Sequence, residues 1–227
     1  MNIYFLVEGR STEKKLYTAW LTHLIPEIER VDFYDQVNHN NYYLISGDGY
    51  PSILHEGIPN AIDKIQEVSK YNYLVICLDA DEDTVEEREQ YVNDFITKHI
   101  TVPATIEIVI SIQNRCIETW LLGNRKIFNS KQPLEVLLAD YVQHYDVYEN
   151  DPELMGRFNC RNHADFRFAY LKSIFAAKGL YYSKKFPGKA QEQYYLNQLK
   201  KRIDPTEHLK TFQKFINFCD NIRQNFR

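Results

Sequence analysis

Short runs of apolar residues alternate with longer amphipathic segments through the first half of the chain. The runs over 3–7, 74–78 and 105–112 are rich in branched side chains, which is typical of strands buried on both faces. The segment 85–99 instead repeats apolar residues at helical spacing. Strands that alternate with helices predict an α/β fold with a mostly parallel, Rossmann-like sheet and flanking helices.

The region between the first two of these strands has a weaker pattern. Residues 31–37 and 42–45 predict either a hairpin or a strand with an edge partner. The next helix is expected to break near Gly57 and Pro59 and then to run over about 60–69. The central strand at 74–78 follows directly.

The second half of the chain loses the alternation of strands and helices. We therefore divide the chain into an α/β domain over 1–124 and a helical extension over 125–227 that packs on it. Apolar residues at helical spacing predict four helices in this extension, over 133–145, 164–178, 190–202 and 207–226.

Composition is that of an ordinary globular protein, with 44% apolar and 26% charged residues. No apolar run reaches the length of a membrane span, and the first strand begins at Ile3 without a basic leader. The four cysteines are scattered, which suits reduced thiols. We expect a cytoplasmic protein that does not bind membranes.

Charge is distributed unevenly along the chain, whose net charge is −4. Residues 151–227 contain 15 Lys and Arg against 7 Asp and Glu, whereas residues 1–150 contain 12 against 24. An acidic front and a basic back suit metal-binding carboxylates together with a site for a polyanion such as nucleic acid. Two solvated surfaces of opposite sign are the alternative interpretation.

Acidic side chains follow two of the predicted strands. Asp79 and Asp81 come after the run 74–78, and Glu8 comes directly after the first strand. Carboxylates two residues apart point the same way in extended backbone, and they repel unless a cation lies between them. Carboxylate oxygens favour Mg²⁺ or Mn²⁺. The three acids predict a metal site at the carboxyl edge of the sheet, and a solvated acidic loop is the alternative.

Two further acids stand near this edge. Glu13 falls in the first turn of the helix that follows Gly9, where acids are also common because of the helix dipole. Glu118 lies in the apolar run 117–122 and therefore needs a partner. That partner is either a metal ion or, in a salt bridge, Arg115.

The acidic motifs resemble those of the Toprim domain, which is shared by topoisomerases, primases and several nucleases. Residues 7–9 read Val-Glu-Gly and residues 78–81 read Leu-Asp-Ala-Asp, each after a predicted strand. With Glu13 added, the first motif is similar to that of the OLD and RloB-like nucleases. Residues 117–122 resemble the Glu-x-Trp-Leu-Leu type element of the small stand-alone members, and residues 182–185 resemble a basic element near their C-terminus.

The resemblance implies a Mg²⁺- or Mn²⁺-dependent nuclease that cleaves phosphodiester bonds in RNA, such as tRNA, or in DNA. It also implies an effector of antiphage defence that works beside a separately encoded ATPase, and it leaves room for a homodimer. Glu8, Asp79 and Asp81 would be the primary metal ligands, and Glu13 and Glu118 would serve a second ion or orient water. Glu8 alternatively acts as general acid or base.

Basic and aromatic residues would then contact the nucleic acid. Lys184 or Lys185 would neutralise the scissile phosphate. Tyr181 and Tyr182 would stack on an unpaired base, with ordinary aromatic packing as the alternative. The residues that we assign to nucleic-acid binding are Arg10, Lys14, Lys185, Lys189 and Tyr182, and a solvated role is the alternative for Arg10, Lys14 and Lys15.

Three other functions remain open at this point, and one of them is a housekeeping RNA-processing enzyme with the same chemistry, which sequence does not separate from a defence toxin. A phosphatase of the haloacid-dehalogenase type is suggested by Asp81-x-Asp83, but its nucleophile should follow the first core strand, which here ends in Glu8. A catalytically inactive Toprim subunit that binds nucleic acid or docks a partner is the third alternative. If Asp79 and Asp81 diverge from Glu8, the nuclease hypothesis fails, and if Glu118 points elsewhere, its two-metal version fails.

Overall fold

The computed structural model describes residues 1–132 and 134–226. Within them, five strands form one sheet in the order β2-β3-β1-β4-β5, and every neighbouring pair is parallel. The predicted α/β class is confirmed. The strands are β1 (Asn2–Val7), β2 (Glu29–Val31), β3 (Asn41–Ser46), β4 (Tyr73–Asp79) and β5 (Glu107–Gln113).

Helices connect the strands and make up the second half of the chain. The predicted helix at 85–99 has the expected bounds, and Thr84 caps it by accepting a hydrogen bond from the backbone N–H of Glu87. Pro133, the first residue of another predicted helix, lies outside the described residues. The helices are α1 (Thr12–Leu24), α2 (Ile58–Val68), α3 (Val85–His99), α4 (Ile117–Leu121), α5 (Val136–His144), α6 (His163–Ala177), α7 (Gln193–Ile203) and α8 (Lys210–Gln224).

The two faces of the sheet are covered by different helices. Because side chains alternate along a strand, Phe5 and Val75 point to one face while Leu6 and Ile76 point to the other. The first face packs against α1 and the helices of the second half, and the other packs against α2 and α3. No helix among the described residues is long and apolar enough to span a membrane.

The helical extension is fixed to the α/β part by buried tryptophans. The indole N–H of Trp20 donates to the carbonyl oxygen of Ala190 at 2.9 Å, and that of Trp120 donates to Thr211 Oγ1 at 2.7 Å. The Trp120 ring also stacks on Phe215, with 5.9 Å between ring centroids. These contacts hold the segment around Ala190 and helix α8 against α1 and α4.

Two local predictions differ from the structure. The hairpin alternative is wrong, because β2 and β3 are parallel and residues 34–36 form a 3₁₀ turn between them. The break near Gly57 is also wrong, because a π-helical turn over Ile53–Gly57 continues directly into α2. A Cβ atom on Gly47 would lie 2.4 Å from Cγ1 of Ile53, so the small residue allows this turn to pack against the end of β3.

The strand order determines where the candidate site lies. From β1 the chain first forms β2 and β3 on one side, and it then crosses to form β4 and β5 on the other side. Ligands of open α/β sheets bind outside the carboxyl ends of the strands at such a switch point. Glu8 follows β1 and Asp79 ends β4, so both acids lie at this point.

Candidate functional site

Glu8 and Asp79 are neighbours at the ends of the two central strands. Val7 pairs with Cys77, and adjacent parallel strands lie about 4.8 Å apart. Oε2 of Glu8 accepts a hydrogen bond of 3.0 Å from the backbone N–H of Asp79. Burial raises the pKa of Glu8, whereas this hydrogen bond acts to lower it.

Asp79 has surroundings that disfavour its ionised form. Its Oδ1 atom is buried and has no hydrogen-bond partner among the described residues. Burial, and then the charges of Glu13, Glu8 and Glu118, raise the pKa of Asp79 well above its usual value. A buried carboxylate among like charges is unfavourable without a cation or a proton.

Glu13 reaches the cluster because the preceding loop contains a glycine. A Cβ atom on Gly9 would lie only 1.8 Å from Oε2 of Glu13, so the Glu13 carboxylate occupies the space that a larger residue at position 9 would fill. Burial, and then the charges of Glu118 and Glu8, raise the pKa of Glu13 to about 7. The Glu-Gly-x-x-x-Glu spacing therefore has a steric reason in this chain.

Glu118 comes to the cluster from α4, which begins shortly after β5. Its side chain is buried, and Oε1 accepts a hydrogen bond of 3.0 Å from the hydroxyl of Tyr182. The proposed salt bridge with Arg115 is wrong, because the Arg115 guanidinium donates to the carbonyl oxygens of Asp81 and Asp83. The charge of Glu118 nonetheless raises the pKa values of Asp79 and Glu13.

Asp81 does not point along the strand as predicted. Strand β4 ends at Asp79, and Asp81 has a φ of 52°, in the left-handed region. Its Oδ2 lies 3.6 Å from NH2 of Arg88, and burial raises the pKa of Asp81 although this arginine acts to lower it. The extended-backbone argument for Asp79 and Asp81 is therefore wrong, although the Asp81 charge still acts on Glu8 and Asp79.

Arg88 is a site residue that the sequence reasoning missed. Its guanidinium is buried, lies 3.0 Å from Oδ2 of Asp83 and covers the ring of Tyr50 at 4.0 Å from the centroid. A signal was present in the sequence, because Arg88 occupies the buried stripe of α3 with Val85 and Val92, one turn after the acidic loop.

Lys184 is a second basic residue whose charge acts on the acids. It lies in a turn whose ends, Ser183 and Phe186, exchange two backbone hydrogen bonds of 3.1 and 3.0 Å. Loss of solvent lowers the pKa of Lys184, but the charges of the acids, led by Glu118, raise it by more. The carbonyl oxygen of Lys184 accepts a hydrogen bond of 2.8 Å from Thr12 Oγ1, which ties the turn to the start of α1.

The other predicted nucleic-acid contacts fall into three groups. Tyr182 is wrong as a stacking residue, because it is 1% exposed and bonded to Glu118. Arg10 and Lys189 are at the surface but form ion pairs, with Asp48 at 2.5 Å and with Glu192 at 2.6 Å. Lys185 is exposed on the turn beside Lys184, and Lys14 is half-buried on α1.

The acids act on one another through their charges, but they do not form a set of metal ligands. Within 1–132 and 134–226, no three His, Cys, Asp or Glu side chains are grouped so that they could hold a metal ion. The reason is visible in their partners, since Glu8 bonds the backbone, Glu118 bonds Tyr182 and Asp81 turns to Arg88. The unpartnered oxygen of Asp79 nonetheless fits a hard cation with oxygen ligands.

Comparisons with protein-family models, curated proteins and solved structures find no match to this chain. The side chains and their geometry alone therefore carry the functional interpretation.

Glu13→Gln is expected to flatten the pH dependence of stability in EDTA. The pKa of Glu13 is raised to about 7 in the folded protein and is about 4.3 in an unfolded chain. The folded protein thus binds the extra proton, and its stability falls as pH rises from about 4.3 through about 7. Urea unfolding should show the wild type losing about 1–2 kcal/mol more than the variant between pH 5 and pH 8.

The comparison with the variant removes the effect of His163, which acts in the opposite direction. Burial lowers the pKa of His163 to about 4, so this residue favours folding as pH rises toward 6.5. It titrates in both proteins and cancels in their difference. Equal pH profiles for the two proteins would contradict the placement of the Glu13 carboxylate in the cluster.

Proposed function

We propose that the chain is a metal-dependent nuclease whose carboxylate cluster binds Mg²⁺ or Mn²⁺. The carrying observation is the buried, unpartnered Oδ1 of Asp79. Glu8, Glu13 and Glu118 add negative charge around it and raise the pKa of Asp79, against the positive charge of Lys184. A divalent cation is the ligand that removes this repulsion at the lowest cost in free energy.

In this proposal the carboxylates close on the cation only when it enters. Like charges keep the side chains apart beforehand, which agrees with the absence of a three-ligand group in 1–132 and 134–226. Glu8 and Asp79 would hold the cation from the strand ends, and Glu13 and Glu118 would hold it from α1 and α4. Asp81 would join by leaving Arg88, from which it is 3.6 Å away.

The chemistry follows from what the surrounding residues present to a phosphodiester. The bound cations would supply positive charge at the attacking and leaving oxygens of the phosphate. Lys184, whose pKa the acids raise and whose backbone is tied to α1 by Thr12, would neutralise charge that develops on the phosphate. Glu8 is held in orientation by the Asp79 backbone N–H, which fixes its carboxylate at the end of β1 for its role as a metal ligand.

A non-catalytic binding subunit is the second candidate, and two observations favour it. The described residues contain no ready three-ligand group, and Asp81 is already paired with Arg88. The two candidates differ in metal affinity. A nuclease of this kind should show a higher melting temperature with Mg²⁺ or Mn²⁺ than with EDTA, whereas the binding subunit should show no such increase.

The deciding experiment is a cleavage assay on pooled tRNA, single-stranded DNA and duplex DNA. Each is incubated with the wild type in Mg²⁺ or Mn²⁺, in EDTA, and with the Glu8→Gln/Asp79→Asn double variant. Asp63→Asn, which changes an exposed carboxylate on α2, is the matched control. Cleavage that needs metal, survives in Asp63→Asn and disappears in the double variant supports the proposal. Equal products with the double variant, or no metal-dependent product, overturn it.

Gly9→Ala is expected to slow this cleavage by about 10²-fold, because displacing a site group by about 1 Å has effects of this size. The new Cβ atom would overlap the Glu13 carboxylate, whose Oε2 lies 1.8 Å from its position. Gly156→Ala is the matched control, since a Cβ atom there has no neighbour within 4 Å. Rates at saturating metal test the prediction, and a Gly9→Ala rate equal to that of the control would contradict it.

A further inference from the structure

An exposed aromatic ring stands on the same turn that holds Lys184. Phe186 is 62% exposed, although large apolar side chains are usually buried in monomeric proteins. Single exposed apolar residues are common, so exposure alone has no meaning. What distinguishes Phe186 is its rigid support and the charges around it.

The turn is fixed at several points, so its ring is displayed on an ordered backbone. The N–H of Phe186 donates to the carbonyl oxygen of Ser183 at 3.0 Å and lies 3.1 Å from its hydroxyl. Lys15 of α1 donates to the carbonyl oxygen of Lys185 at 2.5 Å. Pro187, the next residue, is buried. Ordering of this kind lowers the entropy cost of binding a ligand on the ring.

The surroundings of the ring are basic. Nζ of Lys15 lies 5.0 Å from the Phe186 ring centroid, and Lys184 and Lys185 precede the ring in the chain. The Lys184 ammonium lies 5.9 Å from the Phe168 ring centroid, and the charges of the carboxylate cluster raise its pKa. A ligand that contacts the ring and reaches the cluster therefore needs a flat apolar face and a neighbouring negative charge. A nucleotide base with its phosphate has both features.

We propose that Phe186 stacks on an unpaired base of a single-stranded nucleic acid next to the phosphate held at Lys184. This inference rests on the proposed function and deepens it, because it makes single strands the substrate class. A base inside a duplex has both faces covered by its neighbours and cannot stack on a side chain, whereas an unpaired base can. The sequence suggested Tyr181 and Tyr182 for this role; Tyr182 is buried, and Tyr181, which is 67% exposed, precedes the turn over 183–186.

The test is the affinity of labelled single strands, DNA and RNA of one sequence, measured by fluorescence anisotropy. All proteins carry Asp79→Asn, so that the probe is not cleaved. Adding Phe186→Ala should weaken single-strand binding by about 5–100-fold, and Phe186→Tyr should restore it to within about twofold. The matched control is Phe33→Ala, because Phe33 is also 62% exposed but follows the edge strand β2. Its affinity should equal that of the parent.

A duplex of the same sequence separates stacking from general attraction to phosphate. The parent should bind the duplex more weakly than the single strand, and Phe186→Ala should leave duplex affinity unchanged. Unchanged single-strand affinity in Phe186→Ala, or an equal loss for single strand and duplex, overturns the stacking role. If the wild type cleaves nucleic acid and Phe186→Ala is unaffected, only this inference fails. Absence of cleavage by the wild type instead removes the proposed function.

Discussion

Asp79→Asn is expected to raise the melting temperature of the metal-free protein by roughly 3–6 °C at pH 8, and to slow metal-dependent cleavage by at least about 10³-fold. The gain in stability and the loss of activity both arise from removing the Asp79 charge. Asp79 is a buried carboxylate whose Oδ1 is unpartnered among the described residues and whose neighbours are acids. It weakens the fold in the state without metal and is needed in the state with metal.

The sign of the stability effect follows from proton linkage. Burial, and then the charges of Glu13, Glu8 and Glu118, raise the pKa of Asp79 in the folded protein, whereas the unfolded carboxyl ionises near pH 3.9. At pH 8 the folded protein therefore either retains a proton or buries an unpaired charge, and both lower the free energy of unfolding. Asparagine has the same shape and removes this cost.

Thermal unfolding in EDTA at pH 8 measures the first effect, and the cleavage rate at saturating metal measures the second. Asp83→Asn is the matched control, because Asp83 lies in the same loop but has a partner, Arg88, at 3.0 Å. Its removal should leave the melting temperature unchanged or lower it slightly. A lower melting temperature in Asp79→Asn would show that the carboxylate stabilises the fold, and it would contradict the electrostatics of the cluster.

The parts of the fold that the sequence predicts well are those whose local pattern is strong. Strands β1 and β4 are continuous apolar runs buried on both faces, and α3 has a capping box and an apolar stripe. Strand β2 has only three residues, two of them exposed, so no pattern marks it. The parallel pairing of β2 with β3 depends on the connection over residues 32–40, which contains the 3₁₀ turn Tyr34–Gln36 and which the local sequence pattern does not mark.

The candidate site divides in the same way. Glu8 and Asp79 are predictable because both stand where a buried strand stops at the switch point of the sheet. The direction of Asp81 is not predictable from residue spacing, because a single left-handed residue redirects its side chain. The burial of Tyr182 depends on Glu118, which is far away in the sequence. Contacts of that range require the folded chain.

Trp120→Ala is expected to lower the free energy of unfolding by about 3–5 kcal/mol, because it removes a large buried ring and leaves a cavity. Trp120 is fully buried on α4, where its ring centroid lies 5.2 Å from that of Phe212 and 5.9 Å from that of Phe215. Its indole N–H also donates to Thr211 Oγ1 at 2.7 Å. One side chain thus joins α4 to α8.

The same substitution should also slow cleavage, because α4 has only five residues and carries Glu118 two positions before Trp120.

Trp120→Phe keeps a ring but loses the hydrogen bond, so its loss of stability should be smaller, about 1–2 kcal/mol. Val136→Ala, at an 82% exposed position, is the surface control. Urea unfolding in EDTA gives the three free energies, and the cleavage rate of the folded variants reports on Glu118. A loss below about 1 kcal/mol for Trp120→Ala would contradict the packing of α4 on α8. A cleavage rate for that variant equal to that of the wild type would show that Glu118 keeps its position without this packing.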